Sequence, residues 1–319
     1  MPRRTHSPAL YSGAWVLAAV GIALFLSAGV AAARSPSAGA VSPLALVAFY
    51  GAFFALTLSL AMGAWYQVAA RAQRPAERYR GPSPLILFGV VLFGATAVAA
   101  LLAALGWIAP ESQSLGALAT VALTTLGYFA AIWLFVVRTH ALAWTGMGWP
   151  ASWRTSAGTL AASALSGVAL IVPTYIATVV VGGVVAAALG VQLPSALPAP
   201  TTVPDAIATV LAAVIIAPVG EEAFFRGFSL SAWWRDLGLR SALVRATLFF
   251  AAAHILNVTA ASASEWLRVA LLQFLVILPI GYALGWLFAR RGIVASIAGH
   301  MTFNGIAVLL LVSGATVRL

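Results

Sequence analysis

The 319-residue chain is 62% hydrophobic and only 8% charged, with a mean hydropathy of +1.02. So much apolar surface cannot be buried in the core of one soluble domain, so the composition predicts an all-α protein embedded in the lipid bilayer. The absence of cysteine excludes disulfides, thiolate nucleophiles and thiolate metal sites. A net charge of +10 would suggest nucleic-acid binding in a soluble protein. Here all 17 basic residues are arginines, most of them in short segments between apolar runs, which argues against a nucleic-acid partner.

Apolar runs long enough to cross the membrane as helices of about 20 residues define the predicted elements in chain order. They predict a polytopic integral membrane helical bundle of about eight to nine transmembrane helices. The runs are 13–33, 44–66, 84–107, 115–137, 158–190, 205–230, 243–261, 266–289 and 293–313.

The distribution of arginine predicts the orientation of these helices. If the N-terminus is cytoplasmic and nine runs alternate, only Arg34, Arg268 and Arg318 fall outside, which leaves 14 of the 17 basic residues on the cytoplasmic side. This asymmetry follows the positive-inside rule and predicts a C-terminus outside. Abundant Arg, Ala and Gly with no Lys indicate a GC-rich bacterial genome. We therefore expect the bacterial plasma membrane as the location.

Two adjacent carboxylates and an arginine stand at the end of the sixth run, in the sequence Glu221-Glu222-Ala223-Phe224-Phe225-Arg226. Residues four apart share a helix face, so Glu222 and Arg226 are predicted to pair, with the acid in the favourable N-terminal position. Glu221 lies about 100° around the helix and has no such cation. Anchoring of the helix end at the headgroups would explain one Glu–Arg pair, but it leaves the second carboxylate unexplained.

Two further helices carry polar residues at similar depth. His254 follows Phe250 by one turn in the seventh run, and His300 precedes Asn304 by one turn in the last. If these runs begin at the preceding arginines, each histidine lies ~13 Å from the inner surface, and Glu221 has crossed ~24 Å of a ~30 Å core from outside. A lone buried histidine usually serves as a hydrogen bonder between helices, but here three helices deliver polar groups to one leaflet.

These residue types suit the hydrolysis of a peptide bond, which requires a base for water, donors for the oxyanion and an acid for the leaving amine. We expect Glu221 to act as the base and His254 to hold or help deprotonate the water. His300 and Asn304 would donate to the oxyanion. Glu222, paired with Arg226, would fix the first carboxylate.

The three motifs, Glu221-Glu222-x-x-x-Arg226, Phe250-x-x-x-His254 and His300-x-x-x-Asn304, resemble those of the CPBP intramembrane proteases. This family joins the CAAX proteases and the bacteriocin-processing enzymes, and is also called Abi. The resemblance covers about residues 205–310. It implies a protease core in 201–319 and leaves 1–200 as transmembrane helices of unassigned role. It also implies a membrane endopeptidase with a cytoplasm-facing site that acts on a membrane-associated protein or peptide, in which Glu221 and His254 activate water.

Several alternatives remain open at this point. Glu221, His254 and His300 could instead bind Zn²⁺ in a CAAX-type metalloprotease, although we favour no metal because that arrangement uses the free carboxylate as a ligand. A non-catalytic immunity or peptide-binding membrane protein would not need the complete set of groups. A transporter would place polar residues across the whole membrane thickness.

Overall fold

The computed structural model describes residues 7–33, 42–107, 113–151, 156–192 and 200–313. In these ranges the chain is helical and contains no β-strand, which confirms the predicted all-α class. Within the described ranges, eight helices are long and apolar enough to cross a membrane. Those candidate spans are Pro8–Ala31, Pro43–Arg71, Pro84–Ala104, Ser114–Val137, Ala157–Leu189, Val203–Leu237, Ala263–Arg291 and Ile293–Val312.

One predicted run differs from the structure. The run 243–261 corresponds to a helix over Leu239–Ile255, whose 17 residues fall just below the length of the other spans. It begins after Gly238, whose φ of 77° breaks the preceding helix. It ends because the polar stretch from Asn257 forms tight turns, with the Asn257 N–H donating to the carbonyl of His254. Arg34 and Arg318, which entered the predicted orientation, lie outside the described residues, and that orientation stays a prediction.

The chain forms two compact units, of which the first comprises Met1–Glu111 and Leu123–Leu142. It contains helices α1 (Pro8–Ala33), α2 (Pro43–Arg71) and α3 (Pro84–Ala104), with α2 packed against both of the others. Ser42 caps the N-terminus of α2 by accepting the N–H of Ala45. The first unit also includes the second part of α4 (Gln113–Ile132) and a π-helical turn over Trp133–Val137.

The second unit comprises Ser112–Ala122 and Ala143–Leu319 and contains all the candidate site residues. In it α5 (Ala157–Leu189) and α10 (Ala263–Arg291) pack against α11 (Ile293–Val312), and α9 (Leu239–Ile255) packs against α10. Gly167 permits the close approach of α5 and α11, since a Cβ there would collide with the carbonyl oxygen of Ala295. The predicted boundary between residues 200 and 201 lies inside this unit and stays a functional prediction.

The helical span Val203–Leu237 carries the first motif and is irregular where the motif lies. It consists of α6 (Val203–Thr209), a π-helical segment over Val210–Ile216, α7 (Ala217–Glu221), a second π-helical segment over Glu222–Leu230, and α8 (Ser231–Leu237). π-Helical turns widen a helix and are frequent at functional sites. All nine residues from Glu222 to Leu230 are buried, so this wide segment forms the centre of the unit.

Candidate active site

Three polar side chains from three helices meet in the second unit. One oxygen of the Glu221 carboxylate, Oε2, lies 3.8 Å from Nε2 of His254 and 3.9 Å from Nε2 of His300. The sequence motifs thus come together as expected, with Glu221 at the end of α7, His254 in the last turn of α9 and His300 in the middle of α11. Oε2 of Glu221 is buried and accepts no hydrogen bond from any described residue. A buried polar atom without a partner is unusual, and this oxygen can accept a hydrogen bond from a water molecule or a ligand.

Both imidazole rings are fixed through their other nitrogen. Nδ1 of His254 lies 2.8 Å from the carbonyl oxygen of Phe250, and Nδ1 of His300 lies 2.8 Å from Oε1 of Glu222. A carbonyl or a carboxylate only accepts hydrogen bonds, so each Nδ1 carries the proton and donates it. Nε2 of each ring is therefore the atom that faces Glu221.

The second carboxylate is the centre of a buried network. Glu222 is fully buried and accepts a hydrogen bond from Nη1 of Arg226 at 2.7 Å, which is the predicted i,i+4 ion pair. It also accepts from His300 and from the hydroxyl of Ser296. The structure thus connects Glu222 to His300, and the expected role of Glu222 in fixing Glu221 stays a prediction.

Arg226 is almost completely buried, with 1% of its surface exposed, and three groups contact its guanidinium. Besides Glu222, it donates through Nη2 to the carbonyl of Gly281 at 3.1 Å. Its guanidinium lies 3.9 Å from the centre of the Phe250 ring, which gives a cation–π contact. The same ring lies 4.3 Å from that of His254 and 5.8 Å from that of His300. Phe250 therefore packs against the guanidinium and against both imidazoles, and it restricts their orientation.

Asn304 has a contact that the motif alone does not indicate. Its Nδ2 donates to the carbonyl of Ala213 at 2.7 Å. In a π-helix this carbonyl would accept the N–H five residues later, which is that of Pro218, and proline has none. Asn304 thus satisfies the carbonyl that Pro218 leaves open. Its second amide proton is available for other contacts, and the predicted role at the oxyanion stays a prediction.

Sequence reasoning missed Ser296. Its fully buried hydroxyl lies within hydrogen-bond distance of both Glu222 and the carbonyl of Leu284. The signal that could have revealed it is its position four residues before His300, on the same face of α11. Serine in a membrane helix usually bonds to its own backbone, so that spacing alone was not informative.

Residues 203–306 match the family described as type II CAAX prenyl endopeptidase Rce1-like. The match is consistent with the CAAX protease family for this segment. Comparison with curated proteins and with solved structures finds no match.

The match covers 104 residues (203 to 306 inclusive) of 319, and it includes all three motifs. It confirms the resemblance predicted from them and supports an intramembrane protease of the CAAX type. The helices before Val203 lie outside the matched segment, and their role is not defined by the CAAX protease family.

Proposed function

We propose that the chain is an intramembrane endopeptidase that hydrolyses a peptide bond of a membrane-associated protein or peptide with water activated by Glu221. The observation that carries the proposal is the partnerless Oε2 of Glu221, which faces two imidazole Nε2 atoms. A separation of 3.8 to 3.9 Å is too long for a direct hydrogen bond. One water molecule between the groups would be within hydrogen-bond distance of all three.

The proposed first step is the attack of this water. Its two protons point to Oε2 of Glu221 and to Nε2 of His254, since both atoms accept, and its oxygen is thereby directed at the substrate carbonyl. As the new C–O bond forms, Glu221 takes one proton and a tetrahedral oxyanion results. Glu221 then gives that proton to the leaving nitrogen as the C–N bond breaks, which releases a carboxyl and an amine product.

His300 is placed to stabilise the oxyanion. Its Nδ1 is occupied by Glu222, so a hydrogen bond to the oxyanion requires a proton on Nε2 as well. The doubly protonated ring gives the buried cluster two positive charges, His300 and Arg226, against the two carboxylates. Balanced charges avoid the large cost of an uncompensated buried charge. The free amide proton of Asn304 would be the second donor to the oxyanion.

A metal ion is the alternative way to use the same three side chains. Glu221, His254 and His300 would be its ligands, and it would polarise the carbonyl and lower the pKa of a bound water. With donors at 2.0 to 2.1 Å, the separations of 3.8 and 3.9 Å would demand ligand angles of about 130° to 155°, wider than the tetrahedral angle. A water at about 2.8 Å fits with angles of about 85°. The observed spacing therefore favours the mechanism without zinc.

The proposed side of access is based on the distribution of arginine, and the proposed substrate is based on the family description and the composition. Arginine is enriched on the predicted cytoplasmic side, so the site would open to the cytoplasm. The N-terminus would then be cytoplasmic and the C-terminus outside, provided that the helix Leu239–Ile255 crosses the membrane as a ninth span. The CAAX description suggests a lipid-anchored C-terminal substrate. The bacterial composition favours a short membrane-associated peptide or protein without a prenyl group.

The test is the cleavage of fluorescence-quenched peptides, both membrane-anchored and prenylated, by purified protein in detergent. Glu221→Gln and His254→Ala are compared with wild type, each with and without a strong chelator. We expect a fall of about 10³-fold in kcat in both variants, as for the loss of a general base, and no effect of chelator. Glu265→Gln is the matched control, since this half-buried carboxylate at the start of α10 accepts a hydrogen bond from the nearby N–H of Ala261 and lies in none of the three motifs.

Chelator sensitivity that zinc restores would replace the proposal with the metalloprotease. Cleavage by Glu221→Gln at the wild-type rate would remove Glu221 from the mechanism. Failure of the wild type on every anchored and prenylated peptide would favour a peptide-binding or immunity protein.

A further inference from the structure

A cavity with both polar and aromatic lining lies in the second unit, apart from the three motifs. Its volume is about 490 Å³, and it is bounded by the turn at Thr145–Met147, by α8 and by the end of α10. Its polar lining consists of the side chains of Thr145, Ser231 and Arg235, and its aromatic lining of Trp234 and Phe288. None of these residues belongs to the proposed catalytic set.

The three polar side chains have no partner in the described part of the chain. Neither the Thr145 nor the Ser231 hydroxyl makes a hydrogen bond there, and the Arg235 guanidinium makes neither a hydrogen bond nor an ion pair. Ser231 is only 6% exposed, so its hydroxyl cannot be fully solvated as a surface group would be. Thr145 and Arg235 are exposed, so their donor groups lie on the open side of the cavity, where a ligand can reach them.

The cavity is preformed because its wall is held in place. Met147 is completely buried, and the carbonyl of Gly148 accepts the N–H of Ile293 at the start of α11. Gly148 has a φ of 78°, and a Cβ there would lie 2.6 Å from the ring of Phe288. Only glycine adopts this positive φ without strain and leaves room for the Phe288 ring, so the turn packs closely beside α8 and α10.

A guanidinium with two hydroxyls is a donor set suited to the oxygens of a phosphate. Arg240, Arg290 and Arg291 follow α8 and end α10, and Asp236 in α8 is the one carboxylate among them, so these segments carry a net positive charge. Trp234 is 39% exposed, and tryptophan is enriched at the headgroup level of membranes. We propose that this cavity binds a phosphate group, supplied by an anionic phospholipid headgroup or by a soluble phosphate.

The proposal is tested with the full chain in detergent by native mass spectrometry. The probes are phosphatidylglycerol, phosphatidylcholine with the same acyl chains, and inorganic phosphate. We expect one phosphatidylglycerol to bind at least tenfold more tightly than phosphatidylcholine. Arg235→Gln is expected to abolish that preference, and Thr145→Val combined with Ser231→Ala to weaken it without a change of charge.

Arg240→Gln is the matched control, because it removes the same charge on the same side without lining the cavity. Competition by inorganic phosphate that depends on Arg235 would assign a soluble phosphate, and its absence would assign the lipid headgroup. An equal loss in Arg235→Gln and Arg240→Gln would overturn the proposal, as would the absence of both lipid preference and phosphate binding. Unfolding temperatures of all variants establish that they remain folded.

Discussion

Replacement of Arg226 by methionine should destabilise the fold strongly, because it leaves a charge buried without its closest partner. Glu222 is fully buried, and the Nη1 of Arg226 is 2.7 Å from its Oε1. Breaking a buried ion pair from one side costs about 3–5 kcal/mol. The hydrogen bond to Gly281 and the contact over Phe250 disappear with it. These terms overlap, so we expect a total loss of about 3–5 kcal/mol and not their sum.

The assay is a double-mutant cycle of chemical unfolding in detergent, with wild type, Arg226→Met, Glu222→Gln and the double variant. The double variant removes both charges and should be less destabilised than Arg226→Met alone, by about 1–3 kcal/mol. A cost below about 1 kcal/mol for Arg226→Met would refute the reasoning that the pair is buried. Strictly additive costs of the two single changes would refute the coupling.

Three further predictions follow from single contacts. Ser296→Ala removes a donor to the buried carboxylate and should lower kcat about tenfold with little change in KM, whereas an unchanged kcat would show that this donor is dispensable. Asn304→Leu leaves the carbonyl of Ala213 unsatisfied and should cost about 1–3 kcal/mol in chemical unfolding, and no loss would mean that water replaces the amide. Gly167→Val forces a side chain against the carbonyl of Ala295 and should lower the unfolding temperature by several degrees, whereas an unchanged temperature would show that α5 and α11 are free to separate.

The sequence was informative wherever the contact lies within one helix or depends on composition. Apolar runs predicted the membrane spans, and the i,i+4 spacing predicted the ion pair between Glu222 and Arg226, which the structure contains. The grouping of Glu221, His254 and His300 was inferred from their similar depths on three helices. The depth of a residue can be estimated from its position along the helix, because the rise per residue of an α-helix is constant.

The contacts that the sequence did not reveal involve backbone atoms or relations between helices. No side-chain pattern indicates that Asn304 donates to the carbonyl of Ala213 or that Arg226 donates to that of Gly281. The hydrogen bond between Glu222 and His300 depends on the rotation of α11 about its own axis. The periodicity of the sequence does not define that rotation, because α11 is apolar nearly all round. The early end of α9 at Ile255 depends on turns in a polar stretch that the hydrophobic run obscured.

The central claim is that Glu221 is left without a hydrogen-bond partner in order to activate water, and one variant tests it directly. Glu221→Gln should abolish peptide cleavage while leaving the free energy of unfolding unchanged or raised, since no described residue donates to the buried Oε2. Measurement of kcat and of unfolding on the same preparation gives both values. A variant that loses activity only in proportion to a loss of stability, or that still cleaves at the wild-type rate, would contradict this account.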